Sequence, residues 1–272
     1  MTIKKLHKLF DKYAAVWETN ATNQSTFTTN LLVRSVAITF RVWLFTQLYS
    51  TTFRFAQTQS INGVTVPIII WTLALTQSFS NAARPPIARL IEEEVRTGTI
   101  AYQLSRPFSY SLFHYFGFLG RGIVPMISNT VVSLLAALVL VGPIPLSPIT
   151  IIIGLGLFLM GFTIDFFAQF MIGILAFKFE DISAFMWIYS KGQLVFGGFI
   201  LPLSLFPDNL RKIAEVLPFS LQYYASADII TNYTSASLGR YFSILLLWVI
   251  VFGVMQTILI RILRNHVAQN GG

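Results

Sequence analysis

The chain reads as an all-α integral membrane protein, and three observations predict that class. Of its 272 residues, 54% are hydrophobic and only 11% charged, whereas a soluble domain carries about 25% charged residues. Apolar stretches near the roughly 20 residues that cross a bilayer recur at Leu31–Phe53, Val66–Ala82, Leu112–Val141, Ile149–Phe177, Ser183–Leu203 and Tyr241–Ile262. These are six expected spans. The segments between them are charged or rich in Pro and Gly, and none is large enough for a soluble domain. Residues 1–272 are therefore expected to form a single transmembrane domain.

Each element follows from its local pattern. Ile3, Leu6, Phe10, Tyr13 and Trp17 recur at helical spacing, with Lys4, Lys5, Lys8 and Lys12 on another face. That pattern predicts a helix lying in the membrane interface. No continuous apolar core follows Lys4 and Lys5, so the start lacks the pattern of a signal peptide. Thr19–Thr29 is polar and is expected to be a linker. Spans two and five are short and polar-spotted, whereas three and four are long enough to tilt or to contain a break. Gly142-Pro-Ile-Pro-Leu-Ser-Pro148 predicts a tight turn. After span five, Pro207–Pro218 reads as a short amphipathic helix between two prolines. Pro218–Asn232 reads as a second one, carrying Phe219, Tyr223 and Tyr224.

Six spans place both termini on one side. Lys4, Lys5, Lys8, Lys12, Arg84, Arg89, Arg96, Arg106, Lys178, Arg261 and Arg264 share that side, against Arg54, Arg211, Lys212 and Arg240 on the other. The bias predicts cytoplasmic termini. The net charge of +8 then reflects orientation and attraction to anionic lipid. The basic residues form no nucleic-acid reader motif, so no nucleic-acid partner is expected. With no cysteine in the chain, disulfide frameworks and thiolate chemistry are excluded.

Between spans two and three lies the run Pro85-Pro-Ile-Ala-Arg-Leu-Ile-Glu-Glu-Glu-Val-Arg-Thr-Gly98. Pro85 and Pro86 suit a first helical turn, Gly98 a helix end, and Pro107 blocks any extension of the next piece. Arg89 precedes Glu92 and Glu93 by three and four residues, and Glu92 precedes Arg96 by four. Such same-face pairs stabilise by only about 0.2–0.5 kcal/mol each. Glu92, Glu93 and Glu94 cover about 200° of helix circumference at roughly 100° per residue. Internal pairing therefore leaves at least one carboxylate for an external cation. Arg89, Glu92, Glu93, Glu94 and Arg96 are thus a candidate docking surface; the alternative is a solvated helix with self-paired charges.

Polar groups at membrane depth are functional candidates. Asp165 is the carboxylate well inside a span, and Arg41 is a possible buried partner for it. Gln47, Gln77, Asn81 and Gln193 would be costly facing lipid and are candidates for a shared path. Arg34 lies near a span end, where it can snorkel. Lys191 precedes Gly192, Gly197 and Gly198, small residues that suit close helix packing or a break. His114 has no partner pattern and is expected to be structural, and no metal-ligand cluster is spelled out.

Val95-Arg-Thr-Gly-Thr-Ile-Ala-Tyr-Gln-Leu-Ser-Arg-Pro-Phe-Ser109 closely resembles the segment after the second span in bacterial ABC type-2 permeases, the membrane subunits of an exporter class. Ala176–Ala184 resembles the turn after their fourth span. Leu210–Pro218 with Phe219–Tyr224 resembles their external helical pair. Ser105 departs from the pattern, standing where the family often has a second leucine. The resemblance implies a permease in the bacterial inner membrane. It also implies two such permeases side by side, this chain with itself or with a sister chain, and separate ATPase subunits that hold ATP and Mg. By position, the helix with Arg89, Glu92, Glu93, Glu94 and Arg96 would be the coupling helix. Lys178, Glu180 and Asp181 would form a second, smaller contact. The chain itself has no Gly-x-x-x-x-Gly-Lys-Ser/Thr phosphate cradle, so no cofactor is expected in it.

Other classes fit less well. A membrane-embedded enzyme needs a nucleophile–base set or metal ligands at depth, and neither a Gly-x-Ser-x-Gly elbow nor a His-Glu-x-x-His helix is present. A secondary transporter typically shows internal repeats and midplane ion ligands, and only Asp165 points that way. An accessory subunit that assembles without lining a path also fits the composition. Twenty-five Phe and ten Tyr suit an amphipathic or hydrophobic cargo, and equally suit lipid-facing filler.

Overall fold

The structure is a computed structural model that describes residues 3–25, 28–84 and 86–270. Side chains of residues 3–10, 23–32, 34 and 264–270 lie outside the described residues, and with them the predicted roles of Lys4, Lys5, Lys8, Arg34 and Arg264, as does Pro85. Among the described residues there are helices and no strands; an isolated bridge, Ile61 with Val64, closes one turn.

The first helix, α1 (Ile3–Ser25), includes Thr19–Ser25, the first part of the segment expected to be a linker; residues 26–27 of that segment lie outside the described residues. The Thr19 and Thr22 hydroxyls bond back to the carbonyls of Ala15 and Glu18, which keeps this polar stretch helical. Next come α2 (Thr28–Phe55) and α3 (Val66–Ser80), the latter opened by Pro67 and followed by a tight turn at Asn81–Ala83. The charged run forms α4 (Ile87–Arg96). Gly98 at φ +72°, a conformation that costs glycine little, separates it from α5 (Thr99–Ser105). Ser109 caps α6 (Tyr110–Val141), its hydroxyl accepting from Leu112 N at 3.4 Å. Pro148 opens α7 (Pro148–Ile174), and α8 (Ser183–Phe196) stops at Gly197. Then α9 (Asp208–Val216), α10 (Pro218–Gln222) and α11 (Tyr224–Thr231) precede the long α12 (Ser235–Asn270). The expected second external helix is thus two short helices broken at Tyr223.

Among the described residues, three helices are long and apolar enough to cross a membrane: Tyr110–Val141, Pro148–Phe177 and Ser235–Leu263. They coincide with expected spans three, four and six. The other three expected spans coincide with α2, α3 and α8 but fall short. The 28 residues of α2 include Arg34, Arg41 and Arg54. At about 1.5 Å per residue, α3 and α8 reach only about 22 Å, less than a hydrocarbon core of roughly 30 Å. Every residue of α3 from Ile69 to Phe79 is buried, so α3 faces protein.

Helix α7 organises the bundle. Phe158, Phe162, Phe166 and Phe170 repeat every four residues and form one buried stripe with Phe79, Phe118, Tyr110 and Tyr223. Phe118 stacks on Phe162 at 4.6 Å and Phe79 meets Phe158 at 4.8 Å. Much of the aromatic content therefore fills the core. Small residues let other backbones close on this helix. A Cβ at Gly161 would stand 2.2 Å from the Gln222 carbonyl, and one at Gly173 would stand 2.8 Å from Ile91. Gly154 sits against Ile230, and at about 1.5 Å per residue it stands roughly 28 Å from Gly173. The charged α4 thus packs near the Ile174 end of this helix and α11 near its Pro148 end, while the end of α10 reaches Gly161 at its middle.

The N-terminal segment is helical, as expected, and has protein contacts as well. Its described part packs on α6: the Tyr13 ring lies 5.2 Å from Phe116, and Arg121 Nη1 donates to Asn20 Oδ1 at 3.2 Å. Protein contacts, besides any interface, hold this helix, and they give Arg121 a polar partner.

Candidate functional site

The three consecutive carboxylates of α4 meet three different surroundings. Glu92 is buried; its Oε2 accepts from Arg89 Nη1 at 2.8 Å and its Oε1 accepts from Ile182 N at 3.1 Å. It therefore anchors α4 to the start of α8 and is not the carboxylate left over for an outside cation. Glu94 accepts from the Tyr110 hydroxyl at 2.6 Å, and His114 Nε2 lies 3.3 Å from the same oxygen. Burial pushes the Glu94 carboxyl up, but His114, Tyr110 and Arg106 outweigh it and hold the group below its ordinary value. Glu93 is exposed, and its carboxylate forms no hydrogen bond or ion pair among the described residues. The pair realised within the helix is Arg89 with Glu92; Arg96 is left exposed beside Glu93.

The two charged segments read separately in the sequence form one surface. Arg89 Nη2 donates to Ser183 Oγ at 2.8 Å, and Arg89 Nη1 lies 3.7 Å from Asp181 Oδ1. The Ser183 hydroxyl and backbone N–H both donate to Asp181 Oδ1, at 2.6 and 2.8 Å, and hold that carboxyl below its ordinary range. Lys178, Glu180 and Asp181 are all exposed. A cleft of about 480 Å³ lined by Arg89, Glu92, Glu93, Arg96 and Thr97 opens on this face. It presents both signs of charge, while Ile87, Ala88 and Ile91 of the same helix are buried, the last two against Gly173 of α7.

The candidate path residues separate into two groups. Asp165 is fully buried and is not paired with Arg41. Its Oδ1 accepts from the Tyr189 hydroxyl and from Gln193 Nε2 at 3.0 Å. Its Oδ2 accepts from Gln169 Nε2 and from the Tyr223 hydroxyl, both at 2.7 Å. Four donors meet the roughly four lone-pair sites of a carboxylate, so hydrogen bonds satisfy this buried group and no direct cation is needed. Gln193 also donates to Gln222 Oε1 at 2.7 Å, and Gln222 Nε2 donates to the Tyr189 hydroxyl at 2.8 Å. A polar cavity of about 80 Å³ lies beside them, lined in part by Arg84, Tyr189 and Gln193.

Arg41 instead donates to Gln77 Oε1 at 2.7 Å, and Gln77 Nε2 donates to the Phe199 carbonyl at 3.2 Å. Asn81 donates to the Gln77 carbonyl at 2.9 Å and secures the end of α3. Gln47 is exposed on α2 and joins neither group. Lys191 marks no break: α8 runs past it, and Gly192 packs against the Phe219 ring. Sequence reasoning missed Gln169, Tyr189, Gln222 and Tyr223. Two of these were within reach, because Asp165 with Gln169 and Tyr189 with Gln193 stand at the i,i+4 spacing that puts side chains on one helix face. Gln222 and Tyr223 come from a segment expected outside the membrane.

Residues 41–269 match the family model described as ABC-2 family transporter protein. The comparison with curated proteins gives no match. The family match spans most of the chain, including every residue of both groups, and the chain belongs to the ABC-2 transporter family. It is a multi-pass membrane protein of ABC transport, a permease component.

Proposed function

We propose that this ABC-2 family chain is the permease subunit of an ATP-driven exporter. In this reading it forms the substrate path and takes its energy from a separate ATPase subunit that binds α4. The observation that carries the reading is the composite charged face. Glu93 and Arg96 are exposed and form no hydrogen bond or close ion pair among the described residues, Arg96 acting only at longer range on Asp181, while Glu92 and Arg89 tie the same helix to the start of α8. A surface helix fixed on one side and offering both charges on the other suits a protein partner. The absence of a phosphate cradle from the sequence supports assigning ATP and Mg to that partner.

In this reading α4 and both termini lie in the cytoplasm, which the basic bias supports, and α9 and α11 lie toward the outer side; the resemblance to bacterial permeases supports an inner-membrane location. In this arrangement α2, α3 and α8 complete six spans, supported by a second permease subunit. Arg41, Gln47, Gln77 and Gln193 then face or border the shared path, with Asn81 and Asp165 behind them. Arg89, Glu93 and Arg96 contact the ATPase directly, Lys178, Glu180 and Asp181 form its second contact, and Glu92 and Glu94 hold the helix in place.

Charge reversal tests the reading. The Glu93→Lys and Arg96→Glu variants should each lower the amount of ATPase subunit that co-purifies with the chain by at least tenfold. Membrane insertion and the elution profile of the chain should stay unchanged. Full retention of the ATPase subunit in both variants would remove α4 as its docking site.

A further inference from the structure

The buried polar group around Asp165 is not isolated from α4. The first N–H groups of a helix have no acceptor within it, and for α4 one of them is met from another helix. Ile87 N donates to Gln169 Oε1 at 3.0 Å, while Gln169 Nε2 donates to Asp165 Oδ2 at 2.7 Å. Gln169 is itself buried, at 4% exposure. Its amide is oriented by both neighbours: reversing it would set N–H against N–H and oxygen against carboxylate.

From Asp165 the contacts continue to Tyr189 and Gln193 on α8, to Tyr223, and through Gln193 to Gln222 at the end of α10. The polar contacts of α4 with the next charged turn, through Glu92 and Arg89, go to Asp181, Ile182 and Ser183, at or before the start of α8. No residue of α8 is fully buried: Phe185 and Met186 pack beside Ala88 and Ile182 at its start, and from Tyr189 onward its contacts include the hydrogen bonds of Tyr189 and Gln193.

We propose that Gln169 is the positioning residue that transmits displacement of α4 to the far half of α8 and to Gln222–Tyr223, acting through Asp165. The proposal rests on α4 being the helix that the ATPase moves. Hydrogen bonds of this kind weaken steeply once the donor angle falls below about 120°. A shift of α4 by an ångström or two must therefore either drag the Asp165 group along or break its link to it. Both outcomes alter how α8 and the α10 end are held. Coupling through this link gives a response of α8 that depends on Gln169.

The chain has no cysteine, so a single reporter can be placed cleanly. Val195, near the far end of α8, is 52% exposed and lies outside the network. A Val195→Cys chain carrying an environment-sensitive fluorophore is reconstituted in liposomes with its ATPase subunit and treated with Mg·ATP and vanadate. With Gln169 intact, trapping the nucleotide should shift the emission. In Gln169→Met the ATPase subunit should remain bound and hydrolyse ATP, with the shift reduced at least fivefold. The double exchange Gln169→Glu with Asp165→Asn swaps donor and acceptor across the pair and should restore it.

A full shift in Gln169→Met would overturn the proposal and leave the docking reading intact. Loss of the ATPase subunit in that variant would also overturn it, by making Gln169 a docking residue. Failure of the well-assembled double exchange to restore the shift would do the same. No ATPase subunit on the unsubstituted chain would remove the reading of α4 itself, and this inference with it.

Discussion

Neighbouring carboxylates of identical chemistry take different tasks on α4 because each points along a different radius of the helix. Replacing Glu92 by Ala leaves the buried Ile182 N–H without an acceptor, a loss of about 1–3 kcal/mol. Replacing the exposed Glu93 by Ala should change stability by less than about 0.5 kcal/mol while weakening ATPase binding. Thermal unfolding of the two purified variants, read beside co-purification, separates these effects. Glu94 adds a pH dependence. Its folded carboxyl lies below the ordinary 4.5, so its stabilising effect is present above that value and is lost as pH falls below it. The stability gap between the native chain and Glu94→Gln should therefore be largest near neutral pH and shrink below about pH 4.5. A gap that widens with acid would contradict the assignment. Helical spacing made the surplus of carboxylates legible. It could not say which one was surplus, because Ile182 and Tyr110 lie on other helices.

Elements were legible where one helix satisfies its own pattern and obscure where another element completes it. Long apolar runs gave α6, α7 and the core of α12 nearly to the residue. The linker reading of Thr19–Ser25 failed because hydroxyls bonding back along the helix and contacts with α6 outweigh weak local propensity. The expected Val66–Ala82 matches α3 and the tight turn after it, whereas the helix expected over Ser183–Leu203 stops at Phe196, where Gly197 and Gly198 follow; apolarity does not distinguish lipid from a protein interior, and α3 is wrapped by its neighbours. The same packing makes a sharp prediction along α7. Gly161→Ala would press a methyl against the Gln222 backbone and should destabilise by about 1–3 kcal/mol or more. Gly156→Ala, with nothing within 4 Å of the added carbon, should be neutral or slightly stabilising. Unfolding temperatures in one detergent decide this, and equal values for the two variants would contradict the close approach of α10.

For the whole molecule, α7 acts as the axis that separates two ends about one bilayer apart. Tags placed after Gly63, within Gly142–Pro148 or near Asn232 should be reachable from outside intact cells, and tags near Thr97 should not. Outside labelling near Thr97 would reverse the orientation and remove α4 from the cytoplasm. The central claim is that α4 presents Glu93 and Arg96 to an ATPase, and site-specific photocrosslinking in native membranes measures it most directly. A photoreactive side chain at position 93 or 96 should capture a protein whose peptides include a Gly-x-x-x-x-Gly-Lys-Ser/Thr nucleotide-binding motif. The same probe at the exposed Ile213 on α9, on the outer side in this account, should not capture it. Capture from position 213 but not from 93 or 96, or no nucleotide-binding chain from either α4 position, would contradict the account.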